Sequence, residues 1–424
     1  MNVLVIGNGG REHAVIQALY KSPKVDKIYA MKGNAGIAEL AEIVDVNYLD
    51  VHAVIDWLKR KGDIDFTVVT PDDPLALGLV DELESHGYRA FGPKKNADVI
   101  EASKAFSKAL MKKYGIPTAT YEIFTTYEEA VEYVKTCPIP VVLKADGLAL
   151  GKGVLICKTR EEALEGVKEM MIDQKFGGAG STIVIEEFLE GPEVSCLAFT
   201  DGKTIVPMIT SCDHKRAKDN DEGLNTGGMG TFSPANFFGE KSQKEVMEKI
   251  MVPTMYAMNA EKRTFKGVLY FGLMKTKTGY KVIEYNARFG DPETQVILPM
   301  LKTDLMEIFE AIVDERLGEV KIEWEEGACV CLVLASGGYP EKYEKGKEIT
   351  IGELDADVDL FHAGTARKDG KLVTSGGRVL GVVAKGETLE QARQKVYANA
   401  ERIHFEGMYY RKDIGIKYQD ICKE

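Results

Sequence analysis

The sequence predicts a multidomain chain, α/β in its first part and α+β in the rest. An N-terminal open parallel sheet is followed by a central antiparallel region and a small C-terminal α+β region. Three observations lead there. Strand and helix patterns alternate up to about residue 102. Beyond Gly115-Ile116-Pro117, Val141 to Lys144 and Gly153 to Cys157 read as two strands joined across a glycine-rich loop with no helix between them. A break near Glu323 to Gly327 opens a third run of short strands with one helix, and 424 residues suit about three domains. The boundaries are expected at 1–102, 103–326 and 327–424.

Taken in order, Val3 to Ile6 is an apolar run of buried-strand type, followed by a glycine turn and a helix from about Arg11 to Lys21. Lys27 to Met31 reads as a strand, Val54 to Lys61 as a helix, Phe66 to Thr70 as a strand and Leu75 to His86 as a helix. This βαβα order implies parallel strands joined by right-handed crossovers. Gly92-Pro93 leads out of the sheet, and one helix from about Asn96 to Tyr114 carries the chain onward. Val141 to Lys144 and Gly153 to Cys157 then read as antiparallel strands around a glycine loop. A helix from Glu161 to Met171, a second loop at Gly177 to Gly180 and a strand from Thr182 to Glu187 follow. From Gly267, two strands frame a hairpin at Thr278-Gly279, and the last region carries a helix from Thr388 to Ile403. There is no internal repeat and no low-complexity linker.

Composition narrows the function classes. Fifty-four basic against 66 acidic residues give a net charge of −12, which disfavours a general nucleic-acid binder but not one local phosphate site. The seven cysteines (Cys137, Cys157, Cys196, Cys212, Cys329, Cys331 and Cys422) are odd in number and scattered. None stands at zinc spacing, so free, mostly buried thiols in a reducing cytoplasm are expected. Cys329 and Cys331 share one face of a strand, where packing is the ordinary role. Met1-Asn2 lacks the basic start of an export signal, and no apolar run reaches the ~20 residues of a membrane helix.

Gly7-Asn8-Gly9-Gly10-Arg11 follows a strand and opens a helix, where backbone N–H groups and the positive helix end receive a phosphate. A dinucleotide fingerprint would need glycine where Glu12 stands, and an acid where the second strand ends in Met31-Lys32. A bare βα turn is the alternative, but three glycines plus Arg11 favour a phosphate monoester. Asp146 to Gly153 resembles a P-loop without being one. The spacing to Gly151-Lys152 is one residue short, Gly153 replaces the Ser or Thr, and a strand follows. Taken alone this loop fits a flexible hairpin as well as a phosphate cover. Lys144 in the preceding strand can reach phosphate oxygens as a point charge.

Glu186 and Glu187 end an apolar strand, and one of them is expected to point inward, which is costly unless it is paired. Edge exposure of both is the other possibility. Glu284, Asn286 and Arg288 are spaced two apart on a strand and so share a face. A carboxylate and an amide oxygen suit magnesium completed by phosphates and water, and Arg288 could neutralise a phosphate in transfer. A polar surface strand is the plain alternative. The polar turn Phe289-Gly290-Asp291-Pro292-Glu293 comes next, and His214 and His362 need be no more than hydrogen-bonded loop residues.

Read together, Lys144 to Gly153, Glu186-Glu187-Phe188-Leu189 and Glu284-x-Asn286-x-Arg288 resemble the ATP-grasp superfamily in its usual order. Within it the chain resembles the glycinamide ribonucleotide synthetase (phosphoribosylamine–glycine ligase) family. The matching blocks include Gly7 to His13, Ser103 to Phe106, Asp213 to Arg216, Asn225 to Gly230, Arg288 to Glu293, His362 to Thr365, Thr374 to Val379 and Arg411 to Gly415. The resemblance implies a pre-ATP-grasp N-terminal domain that binds phosphoribosylamine, a central ATP-grasp fold with a mobile lid at about 118–190, and a monomeric cytoplasmic enzyme. It implies ATP held by Lys104, Lys144, Gly151, Gly153, Glu186, Glu187, Leu189 and Glu193, and magnesium or manganese on Glu284 and Asn286. The amine substrate and glycine are assigned to Gly9, Gly10, Arg11, Glu12, Asp213, His214, Asn225, Gly227, Gly228, Arg288, Gly290 and Asp291. Lys144, Asp213, Lys215 and Arg288 are the expected catalytic groups, acting through a glycyl phosphate. Two departures stand out. Thr70-Pro71-Asp72 replaces the frequent Gly-Pro-Glu, and Gly267 to Lys275 supplies no second metal-binding acid. Other ATP-grasp ligases, a nicotinamide-dependent oxidoreductase and a non-catalytic nucleotide sensor are the competing readings. The Asp213 to Gly230 loop, Glu12 with Lys32, and the intact charged set count against them in turn.

Overall fold

The computed structural model describes residues 1–147, 153–175, 177–416 and 418. The first sheet is five-stranded and parallel, in the spatial order Glu42–Val44, Lys27–Lys32, Asn2–Gly7, Phe66–Val69, Ala90–Phe91. The Asn2–Gly7 strand lies at its centre and is buried on both faces, as a continuous apolar run requires. Its carboxyl end delivers Gly7 to Arg11 into the start of the helix Gly10–Tyr20.

Two helices expected to be continuous are broken. Residues 75–86 divide into Asp72–Leu77 and Leu79–Ser85 at Gly78, whose φ of +90° belongs to the left-handed region and ends a helix. Residues 96–114 divide into Lys95–Ala102 and Lys104–Tyr114 at Ser103. Ser103 has extended backbone and accepts a hydrogen bond from the Phe106 N–H, capping the second helix. Asp146 reinforces that start, accepting from the Ala105 N–H at 3.0 Å and from the Ser103 hydroxyl at 3.1 Å. The break therefore sets Lys104 on the first turn of a helix tied to the glycine loop.

Beyond it stand two four-stranded antiparallel sheets. One orders Tyr121–Phe124, Ile183–Glu187, Val141–Ala145 and Val154–Cys157, with the helices Tyr127–Thr136 and Arg160–Met171 packed together against its apolar face. The other orders Ile205–Pro207, Glu193–Thr200, Gly267–Thr276 and Gly279–Asn286.

The C-terminal segment does not build its sheet alone. The strands Ala328–Ala335, Arg378–Gly386 and Val358–His362 are joined by Gly230–Ser233 and Cys212–Asp213 in one five-stranded sheet. One apolar core likewise runs through all three segments, with Phe91 stacked on Phe309 at 3.9 Å and Phe289 against both. His13 and His362 pin the last segment to the first helix. The His362 N–H donates to His13 Nδ1 at 2.8 Å, and burial pushes the two rings down to about 3 and about 4, so both are neutral. The six described cysteines are buried thiols, and Cys422 lies outside the described residues. Among the described residues no helix is long and apolar enough to cross a membrane.

Candidate active site

The two antiparallel sheets, the N-terminal sheet and the C-terminal segment meet around a cleft of about 660 Å³. The residues expected to hold a metal, Glu284 and Asn286, sit where the Gly279–Asn286 strand bulges. Gly272 pairs with Glu284 and Leu273 with Val282, so Ile283 is an extra residue. Tyr280, Val282 and Tyr285 all reach the core, while Glu284 and Asn286 line the cleft. A bulge that re-aims side chains next to a site is a familiar device. The Ile283 carbonyl accepts from Lys144 Nζ at 2.9 Å.

Four cations converge there. Lys215 Nζ lies 3.7 Å from Glu284 and 3.8 Å from Glu193. Lys104 donates to the Gly147 carbonyl at 2.9 Å. Burial works to raise the Glu284 pKa, but Lys215, Lys144, Lys104 and Arg288 outweigh it, and the carboxylate is held below its ordinary range. Burial pulls Lys104 down. It also opposes the charge on Lys215, which Glu193 and Glu284 nevertheless drive upward.

Of the paired acids, Glu186 turns inward and Glu187 outward. Glu186 is 4% exposed and joins two ammonium groups, Lys144 at 2.9 Å and Lys108 at 3.2 Å. Lys108 also donates to the Thr118 hydroxyl at 2.7 Å. Leu189 and Glu193 line the cleft beyond, as does Gly153, while Gly151 lies outside the described residues.

At the N-terminal sheet, Arg11 reaches the cleft and donates to the Phe289 carbonyl at 3.1 Å and to Glu12 at 2.6 Å. Glu12 does not stand on the cleft wall. It is buried, and its second oxygen accepts from the Gly9 N–H at 2.7 Å, so the carboxylate occupies the helix start itself. A Cβ on Gly10 would lie 2.6 Å from the Gln295 amide, which is why glycine stands there. Arg288 pairs with Glu101 at 2.8 Å and approaches Asp72 at 3.9 Å. Asp98 lies behind them, with one oxygen unpartnered. Burial, then the charges of Glu101 and Asp72, push its pKa up to about 8.

On the opposite wall, burial and then Glu293 push the Asp213 carboxyl well above its ordinary range. Glu293 accepts from the Tyr270 hydroxyl at 3.0 Å, and Ser195 lies 2.7 Å from that hydroxyl. Gly290 leaves room for Glu293, since a Cβ there would lie 2.5 Å from its carboxylate. Arg378 donates to the carbonyls of Gly227 at 2.7 Å and Asp291 at 2.9 Å, tying the two loops together. Asn225 lines the same wall, and Gly228 packs against Pro292 with φ +118°. His214 is the exception. It is fully buried, its Nδ1 lies 3.2 Å from the Gly230 carbonyl, and its Nε2 accepts from the Gly415 N–H at 3.4 Å. It therefore supports the wall from behind instead of contacting a ligand. The reason is the alternation of the chain after Asp213, which turns the next side chain away from the cleft.

Sequence reasoning missed Lys108, Asp98, Glu101, Tyr270, Ser195 and the position of Arg378. Only Arg378 carried a signal, the glycine pair before it in Thr374 to Val379.

Comparison with known proteins gives a consistent picture. Models of phosphoribosylglycinamide synthetase match residues 1–101 (N domain), 102–294 (ATP-grasp domain) and 329–417 (C domain). A phosphoribosylamine–glycine ligase of Caldanaerobacter subterraneus subsp. tengcongensis is 49% identical, over 99% of this chain and 100% of that one. The crystal structure of the Thermotoga maritima phosphoribosylamine–glycine ligase aligns with a TM-score of 0.84 at 38% identity, over 98% of this chain and 100% of that one. The biotin carboxylase domain of the Hydrogenobacter thermophilus 2-oxoglutarate carboxylase, solved with MgADP and bicarbonate, aligns with a TM-score of 0.74 over 96% of this chain and 91% of that one. At 17% identity that likeness concerns the fold alone.

Proposed function

This chain belongs to the phosphoribosylglycinamide synthetase family, and from that premise we propose that it ligates glycine to 5-phosphoribosylamine. ATP is consumed to ADP and phosphate, in a step of purine biosynthesis. The observation that carries the reading is the convergence of Lys104, Lys144, Lys215 and Arg288 on Glu284 and Asn286, opposite a wall bearing Asp213. Cations of that number match a triphosphate and a carboxylate brought together, and a carboxyl with a raised pKa across the cleft suits an amine that must lose a proton.

In this reading Lys104 and Lys144 hold the phosphates, and Gly151 and Gly153 belong to the same ATP-binding set. Glu186, Glu187 and the Leu189 backbone face adenine, and Glu193 the ribose hydroxyls. The donor set fits magnesium or manganese. Glu284 is kept ionised and Asn286 adds an amide oxygen, while among the described residues no group of three His, Cys, Asp or Glu side chains offers a complete protein cage. Such a divalent ion, when bound, withdraws charge from the phosphates. The glycine carboxylate attacks the γ-phosphorus, the bond to the ADP oxygen breaks, and glycyl phosphate forms beside Arg288. The amine of phosphoribosylamine then attacks the acyl carbon, phosphate leaves, and Asp213 takes the amine proton. Lys215 keeps Glu284 and Glu193 in place. Arg11, with the Gly9-Gly10 turn, receives the 5-phosphate, and Asn225, Gly227, Gly228, Gly290 and Asp291 border glycine and the amine. Water would hydrolyse the acyl phosphate, so a closing loop serves the chemistry directly. The enzyme acts as a cytoplasmic monomer in this reading, with small-molecule substrates only.

The test is ADP release with ATP, magnesium and glycine, with and without fresh phosphoribosylamine, the amide being followed by mass spectrometry. Amide and ADP formed together, only with both substrates, is the expected result. ADP release without a glycyl amide would overturn the substrate assignment and leave the nucleotide site standing.

A further inference from the structure

Among the described residues, Arg216–Lys218 and Glu222–Asn225 pair only with each other, as a two-stranded ribbon outside the larger sheets. An isolated ribbon of this size is marginal in water. Ala217 is its one buried residue, and positions 222–224 are exposed. Yet the ribbon brings Arg216, Asp221 and Asn225 to the cleft, with Lys215 before it and Gly227 after it.

Much of what holds the ribbon is polar and comes from the far end of the chain. Arg411 is 2% exposed, donates to the Arg216 carbonyl at 3.1 Å and pairs with Asp221 at 3.0 Å. The rest of its guanidinium clasps Asp413 at 2.6 and 2.7 Å. Asp413 in turn accepts from the Asn220 N–H at 2.9 Å, and the Lys412 N–H donates to Asp219 at 2.8 Å. A planar guanidinium serving one carbonyl and two carboxylates fixes both strap and ribbon in orientation, which a point charge cannot do.

We propose that Arg411 is a positioning residue for the acceptor side of the cleft. The strap Arg411 to Gly415 sets the ribbon over the site, and binding of glycine and the amine depends on a clasp 190 residues along the chain from Asp221. The proposal rests on the reading of Asp213 to Gly230 as the border of those two substrates. It assigns the strap a selective role, because Lys144 and Glu186 of the nucleotide wall lie on another sheet, with Leu189 in the loop that follows it.

Arg411→Met, Arg411→Lys and Asp221→Asn, each in the full chain, test it by steady-state kinetics and by hydrogen exchange at residues 216–225. In Arg411→Met the KM for glycine and for the amine should rise about tenfold or more while that for ATP stays within about twofold. Arg411→Lys should recover part of the loss, and Asp221→Asn combined with Arg411→Met should add little to it. Ribbon amides should exchange about tenfold faster in Arg411→Met, with the central sheet unchanged. Equal rises for all three substrates, or an unchanged ribbon, would overturn the proposal. If Arg411→Met does not fold, Asp221→Asn carries the same test, since its side chain is 41% exposed and its loss is tolerable. If the wild-type chain makes no glycyl amide, the substrate assignment falls, and ribbon exchange alone still decides for or against the clasp.

Discussion

Lys108 offers a quantitative check on the buried charges beneath the nucleotide wall. Burial pulls its ammonium from the ordinary 10.5 to about 8, with Glu186 opposing the shift and Lys144 adding to it. Between those two values the unfolded chain binds more protons than the folded one, so stability rises with pH across that window. Below about 8 the charge weighs fully against the fold, by about 3 kcal/mol, and above 10.5 it no longer does. Between about pH 7.5 and about pH 9.5, roughly 2 kcal/mol of that should be recovered. Lys108→Met keeps the length of the side chain, leaves the Glu186–Lys144 pair intact and removes the titration. Urea unfolding of both proteins at the two pH values gives the comparison, because every other group titrates alike in each. The wild type should gain roughly 2 kcal/mol on the variant as pH rises. A difference that stays flat with pH would refute the reasoning, and would mean that Lys108 is as well solvated in the fold as in the unfolded chain and keeps its ordinary pKa.

Other expectations follow from the same geometry. Glu284→Gln keeps the shape and removes the charge that four cations hold in place, so magnesium-dependent turnover should fall at least about a hundredfold. Near-normal activity would sink the metal assignment. Arg11→Ala should raise the requirement for phosphoribosylamine far more than that for ATP, and equal effects in initial-rate measurements would remove the phosphate site from Arg11. Gly228→Ala forces a left-handed φ on alanine and sets a Cβ 2.5 Å from Pro292 and 2.7 Å from Asp213. It should cost about 1–3 kcal/mol of stability and slow amide formation; an unchanged thermal midpoint would contradict the packing.

What the sequence disclosed and what it withheld differ in kind. The first parallel sheet, the antiparallel pair around the glycine loop and the shared face of Glu284 and Asn286 all follow from local spacing, and the structure has them. Ser103 was missed as a helix break, since its hydroxyl cap on Phe106 is a weak local signal and the carboxylate that reinforces it, Asp146, lies far along the chain. The bulge at Ile283 leaves no mark in composition, although it is what sends Tyr285 to the core and Glu284 to the cleft. His214 was assigned to substrate by the family resemblance alone, and only the neighbouring strands show that it faces away. Lys108 and Asp98 drew no notice in the sequence, because only tertiary burial gives them their charge behaviour.

The five-stranded sheet shared between Cys212–Asp213, Gly230–Ser233 and the last segment has a consequence for synthesis. During translation Gly230–Ser233 emerges long before Ala328–Ala335, the strand whose backbone it pairs with. Until then it is an open edge, a template for unwanted pairing with other chains. On the proposed assignment, the half of the cleft given to the nucleotide, built from strands closer in sequence, can condense first, while the wall given to the acceptor awaits Ala328–Ala335. On that assignment, a nascent chain stalled before that point would hold ATP without a place for the amine, and it would be the species most exposed to aggregation.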